Sequence, residues 1–583
     1  MPTDSQSDKP ATGHTDRVNG GALSHPVALA LLLTLANTAK PVVVDDTAYL
    51  SFARQIASDP LDPYGFTLYW YTRPGPAFEV LCPPVVPYWL GLGIRLFGEN
   101  VPLLKLWMFP FVYAFVWGLG RLLELLAPNS RSRVLPLVVL SPAFLPTVNF
   151  MLDVPAWGLS LSAIAVFWQA AHPGSRGRGH TAGLLTGLAG LLAGLATQTK
   201  YTALLCPAVI LWSGRVMGRT RRATRRAFWA VAVAGVVFVG WEALLFSRYD
   251  RSHFLFHTRD QAGSLAPSEL LRQKLELVGP LLGYLGCLGL GPGLVAATAL
   301  RVPEAWRRLA LVVWWVGFTG LLLLPNRLTG PLAVPFWNAF GSAVLLSYFA
   351  AAGWLLLRHG GRVRFRPDPR SCFLGGWLVL ELFGYFALTP FPAARRVLGV
   401  VIVGGLVAAR AVGRAELRHG TNLLRGGVLL AAVSSGLAVA ALDTFDAYAE
   451  IVCAQKAAVS ASGGPPGSTV WFAGHWGFQY ACERLGMRPL VPGETVVRPG
   501  DMLVLPVPPD ERGFYRPHIG NEPVRPPADR VEVVAEVVWD DAISGQTIPN
   551  FYGGVAPVVG RDHPRLRVVV YRVVRPWRVG SAD

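Results

Sequence analysis

Two adjacent carboxylates, Asp45 and Asp46, directly follow the first apolar run, in Val42-Val43-Val44-Asp45-Asp46-Thr47-Ala48-Tyr49. Two close carboxylates in a partly desolvated site take separated pKa values, so one can accept a proton from a hydroxyl. The alternative is a cap, with Asp in the first turn of the amphipathic helix outlined by Tyr49, Leu50, Phe52, Ala53 and Ile56. A third carboxylate, Asp153, is the only charge between two apolar runs joined almost without a loop. A carboxylate so close to hydrocarbon is costly and faces a cavity or a partner, unless it merely caps the span that follows.

Three cations match these carboxylates. Lys200 sits in Thr197-Gln198-Thr199-Lys200-Tyr201, and Arg395 and Arg396 follow Thr389-Pro390-Phe391-Pro392. Lys200 is either a snorkelling interfacial side chain or a cation for an anionic headgroup or leaving phosphate. The Arg pair is a second phosphate candidate or, if 397–410 is not a true span, a cytoplasmic pair. The loop after the first run adds Arg54, Arg73 and Glu79 among Tyr64, Phe66, Tyr69, Trp70, Tyr71 and Phe78. That mixture suits a sugar site or an interfacial aromatic belt. Tyr49 and Tyr201 stand beside the candidate charges, and His475 lies where a strand gives way to a helix. All three are candidate sugar or acceptor contacts, with a purely structural role as the alternative. The six cysteines show no CxxC or CxxH spacing, so no metal site is read and no cofactor is required, although a divalent metal stays open.

The elements that must position these groups lie in a membrane. The 583 residues are 52% hydrophobic and only 15% charged, well below the share in soluble chains. Thirteen apolar runs follow one another at 23–43, 101–119, 134–149, 154–171, 182–198, 201–214, 227–246, 277–299, 309–324, 336–357, 373–389, 397–410 and 426–442. A mainly α, polytopic bundle of about 13 spans is expected. The net charge of +17 does not point to nucleic acid, because the excess Arg falls in short loops between runs, where it sets orientation. With a cytoplasmic N-terminus, every Arg-rich loop (121–133, 176–178, 215–226, 301–308, 358–370 and 410–425) lands in the cytoplasm. The loop 44–100, the candidate charges and the tail then lie outside.

Residues 76–98 read as an interfacial helix, since Pro83-Pro84 breaks the run and Val86, Leu90, Ile94 and Phe97 form one face. Residues 1–22 read as a disordered cytoplasmic N-terminus, 23–442 as the catalytic bundle and 443–583 as a small extracytoplasmic α/β domain. In that tail, strands are expected at 469–473, 501–505, 531–537 and 566–571, a helix at 477–486, and irregular chain at 506–527 and 540–565. Cys453 and Cys482 both fall in the tail, where an oxidising compartment would allow them to pair.

The pattern resembles the polytopic glycosyltransferases of the GT-C type, and most of all glycosyltransferase family 39, with its protein O-mannosyltransferases and aminoarabinose–lipid A transferases. The residues that carry the resemblance are Asp45-Asp46, Pro83-Pro84-Val85-Val86-Pro87-Tyr88-Trp89 leading to Leu96-Phe97-Gly98, Asp153, Thr197-Gln198-Thr199-Lys200-Tyr201, Pro392-Ala393-Ala394-Arg395-Arg396-Val397-Leu398 and Gly474-His475-Trp476-Gly477-Phe478-Gln479-Tyr480. Cys82 stands where the family often has His, and the Arg pair where it often has Arg-Tyr. The resemblance implies transfer of a sugar from a polyprenyl-phosphate donor to a hydroxyl of a lipid, glycan or protein acceptor at the outer face of the cell membrane. It implies Asp45 as base, Asp46 and Asp153 as supports or sugar ligands, and Lys200 with Arg395 on the phosphate. Two rivals make different demands. A flippase of lipid-linked sugars would not gather its charges at one face, and a non-catalytic glycan sensor would leave Asp45 and Asp153 far apart.

Overall fold

The computed structural model describes residues 25–70, 73–128, 130–171, 179–217, 221–262, 267–359, 362–363, 368–415, 422–507, 524–548 and 550–580. The N-terminal segment 1–22, Tyr71, and Arg176, Arg178, Arg219, Arg364, Arg366 and Arg418 of the Arg-rich loops lie outside the described residues, as does most of the Pro-rich segment 506–527.

The chain is a polytopic helical membrane protein with a small β-rich region near its C-terminus. Among the described residues, eight helices are long and apolar enough to cross a membrane: Val101–Leu126, Asp153–Ala171, His180–Thr197, Arg221–Tyr249, Glu304–Leu323, Asn326–Leu357, Pro369–Leu388 and Gly426–Ala461. A ninth candidate is the pair Ser268–Leu288 and Leu290–Ala299, bent by 81° at its break. The other four of the thirteen apolar runs make shorter helices. Pro26–Thr38 and Tyr201–Met217 are short apolar helices. At 1.5 Å per residue, the 13 residues of Pro26–Thr38 reach only about 20 Å of a hydrocarbon core of about 30 Å. Arg131–Val139 stops early because Pro136, Pro142 and Pro146 recur through its run and remove ladder donors. Leu398–Arg414 is buried almost throughout, so its apolarity reflects protein neighbours.

Between Val278–Leu288 and Asn326–Leu357 the backbones nearly touch: a Cβ on Gly341 would stand 1.8 Å from the Leu282 carbonyl oxygen. Such small-residue contacts are how helices gain packing where lipid supplies no hydrophobic drive. Within 76–98 a helix forms at Val85–Phe97, with Val86 and Leu90 of the expected face buried and Phe97 exposed.

The tail adopts the expected strands and helix. A five-stranded sheet runs in the order Arg488–Pro489, Val470–Phe472, Met502–Pro506, Leu566–Val573, Val531–Trp539, with the helix Trp476–Arg484 after Val470–Phe472. Val470–Phe472 is parallel to both neighbours and Leu566–Val573 antiparallel to both of its own. The period-2 alternation sends Met502 and Val504 to one apolar cluster and Leu503 and Leu505 to another. The helix Asn422–Ala461 is unbroken across residue 442, and Cys453, Ala454, Ala457 and Ala461 near its end pack with Met502 and Val504. Cys453 and Cys482 are both buried in that cluster as free thiols, so the pairing allowed by the sequence is not formed.

The segment 540–565, read as irregular, holds the paired strands Gly545–Gln546 and Val559–Gly560 around the helical turn Asn550–Gly553. It packs on the bundle: Tyr284 donates to the carbonyls of Asn550 at 2.5 Å and Gly554 at 2.9 Å, and Trp337 donates to Val558.

Candidate active site

Asp45 and Asp46 close a tight turn after Val42-Val43-Val44. Val44 is β-branched yet has φ 47°, a left-handed backbone that costs about 1–3 kcal/mol and survives only where surroundings enforce it. Asp46 does the enforcing. Its carboxylate is fully buried and accepts from the backbone N–H of Val43 at 3.3 Å and of Phe150 at 2.9 Å. Burial holds it above the ordinary carboxylate range, against the pull of Lys105 and Lys40. Asp46 thereby ties the turn carrying Asp45 to the loop that ends at Asp153.

Asp45 occupies the cap position of Asp46–Ser58, but its side chain makes no capping bond. It accepts instead from Arg395 Nη1 at 2.7 Å. Asp153 begins the helix Asp153–Ala171 and is paired with Lys200, so its role exceeds that of a cap. Burial is the main force lowering Lys200 to about 8, with Asp153 pulling the other way. Arg395 and Arg396 stand on a 3-10 turn, Ala394–Arg396, with their guanidinium groups 5.7 and 5.2 Å from the Phe391 ring. Both feel the charges of Asp45 and Asp153, so the five charges form one cluster. Tyr49, one helical turn beyond Asp45, is buried beside Asp45 and Arg395. The Arg396 guanidinium makes no hydrogen bond to any described residue, and its Nε is buried without an acceptor. Burial, then the neighbouring Arg395, lower its pKa to about 10.

These cations line one end of a cleft. One wall is a continuous face of Asp153–Ala171: Asp153, Ala156, Trp157, Ser160 and Ile164. Leu205 and Val209 form the second wall, and Trp377, Glu381, Gly384 and Leu388 the third. Asp153 and Ile164 stand eleven helical rises apart, so the cleft follows this helix for about 16 Å from its charged end. The arrangement offers cations for an anion, an apolar trough for its hydrocarbon, and carboxylates at the boundary.

The opposite end of the bundle is also charged but holds no such cleft residues. Arg410 and Arg414 pair with Asp368 at 2.9 and 2.6 Å, about 20 Å or more along their helix from Arg395. Arg121 pairs with Glu124 at 2.6 Å, likewise far down its helix from Lys105.

Other expected site residues fall elsewhere. The Tyr201 hydroxyl engages His253 Nδ1 at 2.6 Å and donates to Glu242 at 3.2 Å, a cluster that clamps the first loop through His257 and the Phe78 carbonyl. Arg73 and Glu79 are exposed and do not line the cleft. His475 is buried, with its Nδ1 2.9 Å from Gln479 Oε1 and its ring centroid 4.1 Å from that of Trp70. It helps dock the tail: Gln479 donates to the Tyr69 carbonyl, and Thr47 donates to that of Trp476 at 2.7 Å. Gly477 lies so close to the first loop that a Cβ there would stand 2.6 Å from the Val42 carbonyl oxygen.

Beneath the acidic turn is a buried network that sequence reasoning did not single out. Lys40 pairs with Asp443 at 2.9 Å, both almost fully buried, and donates to the Pro146 carbonyl. Lys105 donates to the carbonyls of Lys40 and Pro41. Tyr552 and Thr547 donate to Asp443, Thr547 and Ile548 to Asp446, and Asp446 pairs with Arg565. The available signal was the rarity of lysine: Lys40 and Lys105, two of only six, fall inside apolar runs.

The likeness to GT-C glycosyltransferases extends to solved structures. The structure of ArnT from Cupriavidus metallidurans bound to undecaprenyl phosphate shares 15% identity, covers 94% of this chain and 97% of its own, and gives a TM-score of 0.40. The apo oligosaccharyltransferase of Archaeoglobus fulgidus shares 14% identity over 81% of this chain, with a TM-score of 0.46. The archaeal oligosaccharyltransferase AglB from the same organism, in complex with an inhibitory peptide and a dolichol-phosphate, shares 13% over 80%, with a TM-score of 0.41. The match spans 64% of the length of either oligosaccharyltransferase chain. No family model and no curated protein matches the sequence.

Proposed function

We propose that the chain is a membrane glycosyltransferase that moves a sugar from a polyprenyl-phosphate donor to an acceptor hydroxyl. The observation that carries this reading is Arg396: a guanidinium without a hydrogen-bond partner among the described residues, at the charged end of a cleft whose walls are mostly apolar apart from Glu381. A lipid phosphate supplies the missing anion and its hydrocarbon fills the trough. Lys200 and Arg395 flank that position. Across Arg395 stands Asp45, suited to take the acceptor's proton.

In this mechanism the acceptor oxygen attacks the anomeric carbon from the side opposite the phosphate. The carbon–oxygen bond to phosphate breaks and its electron pair leaves on the phosphate, where the cations stabilise it. The acceptor proton goes to Asp45. One displacement inverts the anomeric centre. Asp153 holds Lys200, and Asp46 holds the turn.

On the same reading, the charged end of the bundle faces outward in the cell membrane, the Arg-rich end faces the cytoplasm, and residues 443–583 form an extracytoplasmic domain. Flipping of lipid-linked sugars is the less favoured activity, because the cleft's charges gather at one end. The test is sugar transfer by purified protein in nanodiscs, with labelled polyprenyl-phosphate sugars and a crude envelope extract as acceptor source. Labelled product supports the reading. Protein-dependent movement of the labelled lipid between leaflets, with no turnover, replaces transfer by transport.

A further inference from the structure

At the cleft mouth two carboxylates face three cations, and two of those cations are already engaged. Lys200 holds Asp153, and Arg395 Nη1 holds Asp45 Oδ2 at 2.7 Å, with the two side chains only 11% and 21% exposed. The oxygen of Asp45 that faces Arg395 is therefore occupied. An oxygen already accepting from a guanidinium has that face closed to an incoming hydroxyl proton. As it stands, the site has its base engaged and one cation, Arg396, with no hydrogen-bond partner among the described residues.

A phosphate changes this balance. Arg396 gives up no hydrogen bond to receive it. Arg395 is next in sequence, lies against the same Phe391 ring, and carries a planar fork of donors suited to phosphate oxygens. We propose that Arg395 is a positioning residue that leaves Asp45 for the donor phosphate, so that Asp45 becomes a competent base only once donor is bound. The inference rests on the reading of Asp45 as base and a lipid phosphate as donor group. Arg395 stays protonated throughout and no covalent bond changes; one hydrogen-bond acceptor is exchanged for another. The order of events follows: donor first, acceptor ionisation second. Asp46 takes no part, because its oxygens are held by Val43 and Phe150.

The test is carbodiimide labelling of carboxyl groups in the full chain in nanodiscs, with an amine trap and peptide mass spectrometry, with and without undecaprenyl phosphate. Binding of the lipid is measured separately on the same sample by native mass spectrometry. A carboxylate oxygen freed from its guanidinium is open to the carbodiimide and reacts faster. Labelling of Asp45 is expected to rise several-fold when the lipid phosphate is bound, while labelling of Asp46 stays unchanged. Arg395→Gln is expected to show the raised Asp45 labelling without lipid. If the lipid binds and Asp45 labelling is unchanged or falls, the inference is overturned and the proposed activity stands. If undecaprenyl phosphate does not bind at all, both are overturned. The wild-type comparison needs no variant, so a poorly folding Arg395→Gln protein leaves the test intact.

Discussion

Arg395 reaches Asp45 across 350 residues of sequence and donates to its carboxylate at 2.7 Å, joining the first acidic turn to the late loop at the cleft mouth. That contact links two stretches that are each weak signals alone. Asp45 is the more exposed carboxylate of the acidic turn, whereas both oxygens of Asp46 accept from backbone N–H groups.

Asp45→Asn keeps the shape of the side chain and removes its basicity. The expected outcome is a loss of transfer by about 10²–10⁴-fold, the usual weight of a positioned base, with donor binding retained. Initial rates with a polyprenyl-phosphate sugar, together with lipid binding, check this. Transfer that survives at near wild-type rate moves the proton acceptor to Asp153.

Lys200 gives the site a pH signature. Burial lowers its ammonium to about 8, so it carries full charge below that pH and loses charge above it. A bound phosphate favours the charged form, so affinity for undecaprenyl phosphate is highest below pH 8. It is expected to fall by about tenfold per pH unit from there up to the higher pKa of the complex. Lys200→Arg keeps its charge throughout and should flatten the profile. Binding titrations from pH 6.5 to 9.5 distinguish the two.

The membrane class, the tail's strands and the main charged cluster were legible in the sequence because each leaves a local trace. Apolar runs, period-2 alternation in Met502–Pro506, and lone charges such as Asp153 beside long apolar segments all do so. Span count was less legible, since hydropathy cannot separate lipid contact from protein contact. Leu398–Arg414 is apolar because neighbouring helices bury it. Tyr201 misled for a related reason: it adjoins Lys200 in sequence, but its hydroxyl points to His253 and Glu242. The Lys40–Asp443 pair spans 403 residues, a separation that no local pattern encodes.

Gly477 marks where the tail meets the turn that carries Asp45. A Cβ there would lie 2.6 Å from the Val42 carbonyl oxygen and 2.4 Å from Glu450 Oε2, and the first of these is backbone that cannot swing aside. Gly477→Ala is expected to cost about 1–3 kcal/mol by overpacking. Because Val42 leads directly into the turn that carries Asp45, transfer should fall along with stability. Thermal unfolding and initial rates on the same preparation check both, and unchanged values for both would show that the tail does not bear on the turn.

The Asp446–Arg565 pair tests whether the segment after residue 540 is bolted to the bundle by charge. Both side chains are at most 5% exposed, and Arg565 also reaches Asp541 at 2.7 Å. Breaking a buried pair from one side leaves the other charge uncompensated, which costs about 3–5 kcal/mol. Arg565→Met should therefore lower the thermal midpoint sharply, with Asp446 left to the backbone N–H groups of Thr547 and Ile548 and the Thr547 hydroxyl. Arg565→Met combined with Asp446→Asn removes the stranded charge while an amide oxygen still accepts from those donors. The double variant is expected to be more stable than Arg565→Met alone. A double variant as unstable as the sum of the two single changes would mean that the pair acts through packing, since independent losses add and coupled charges do not.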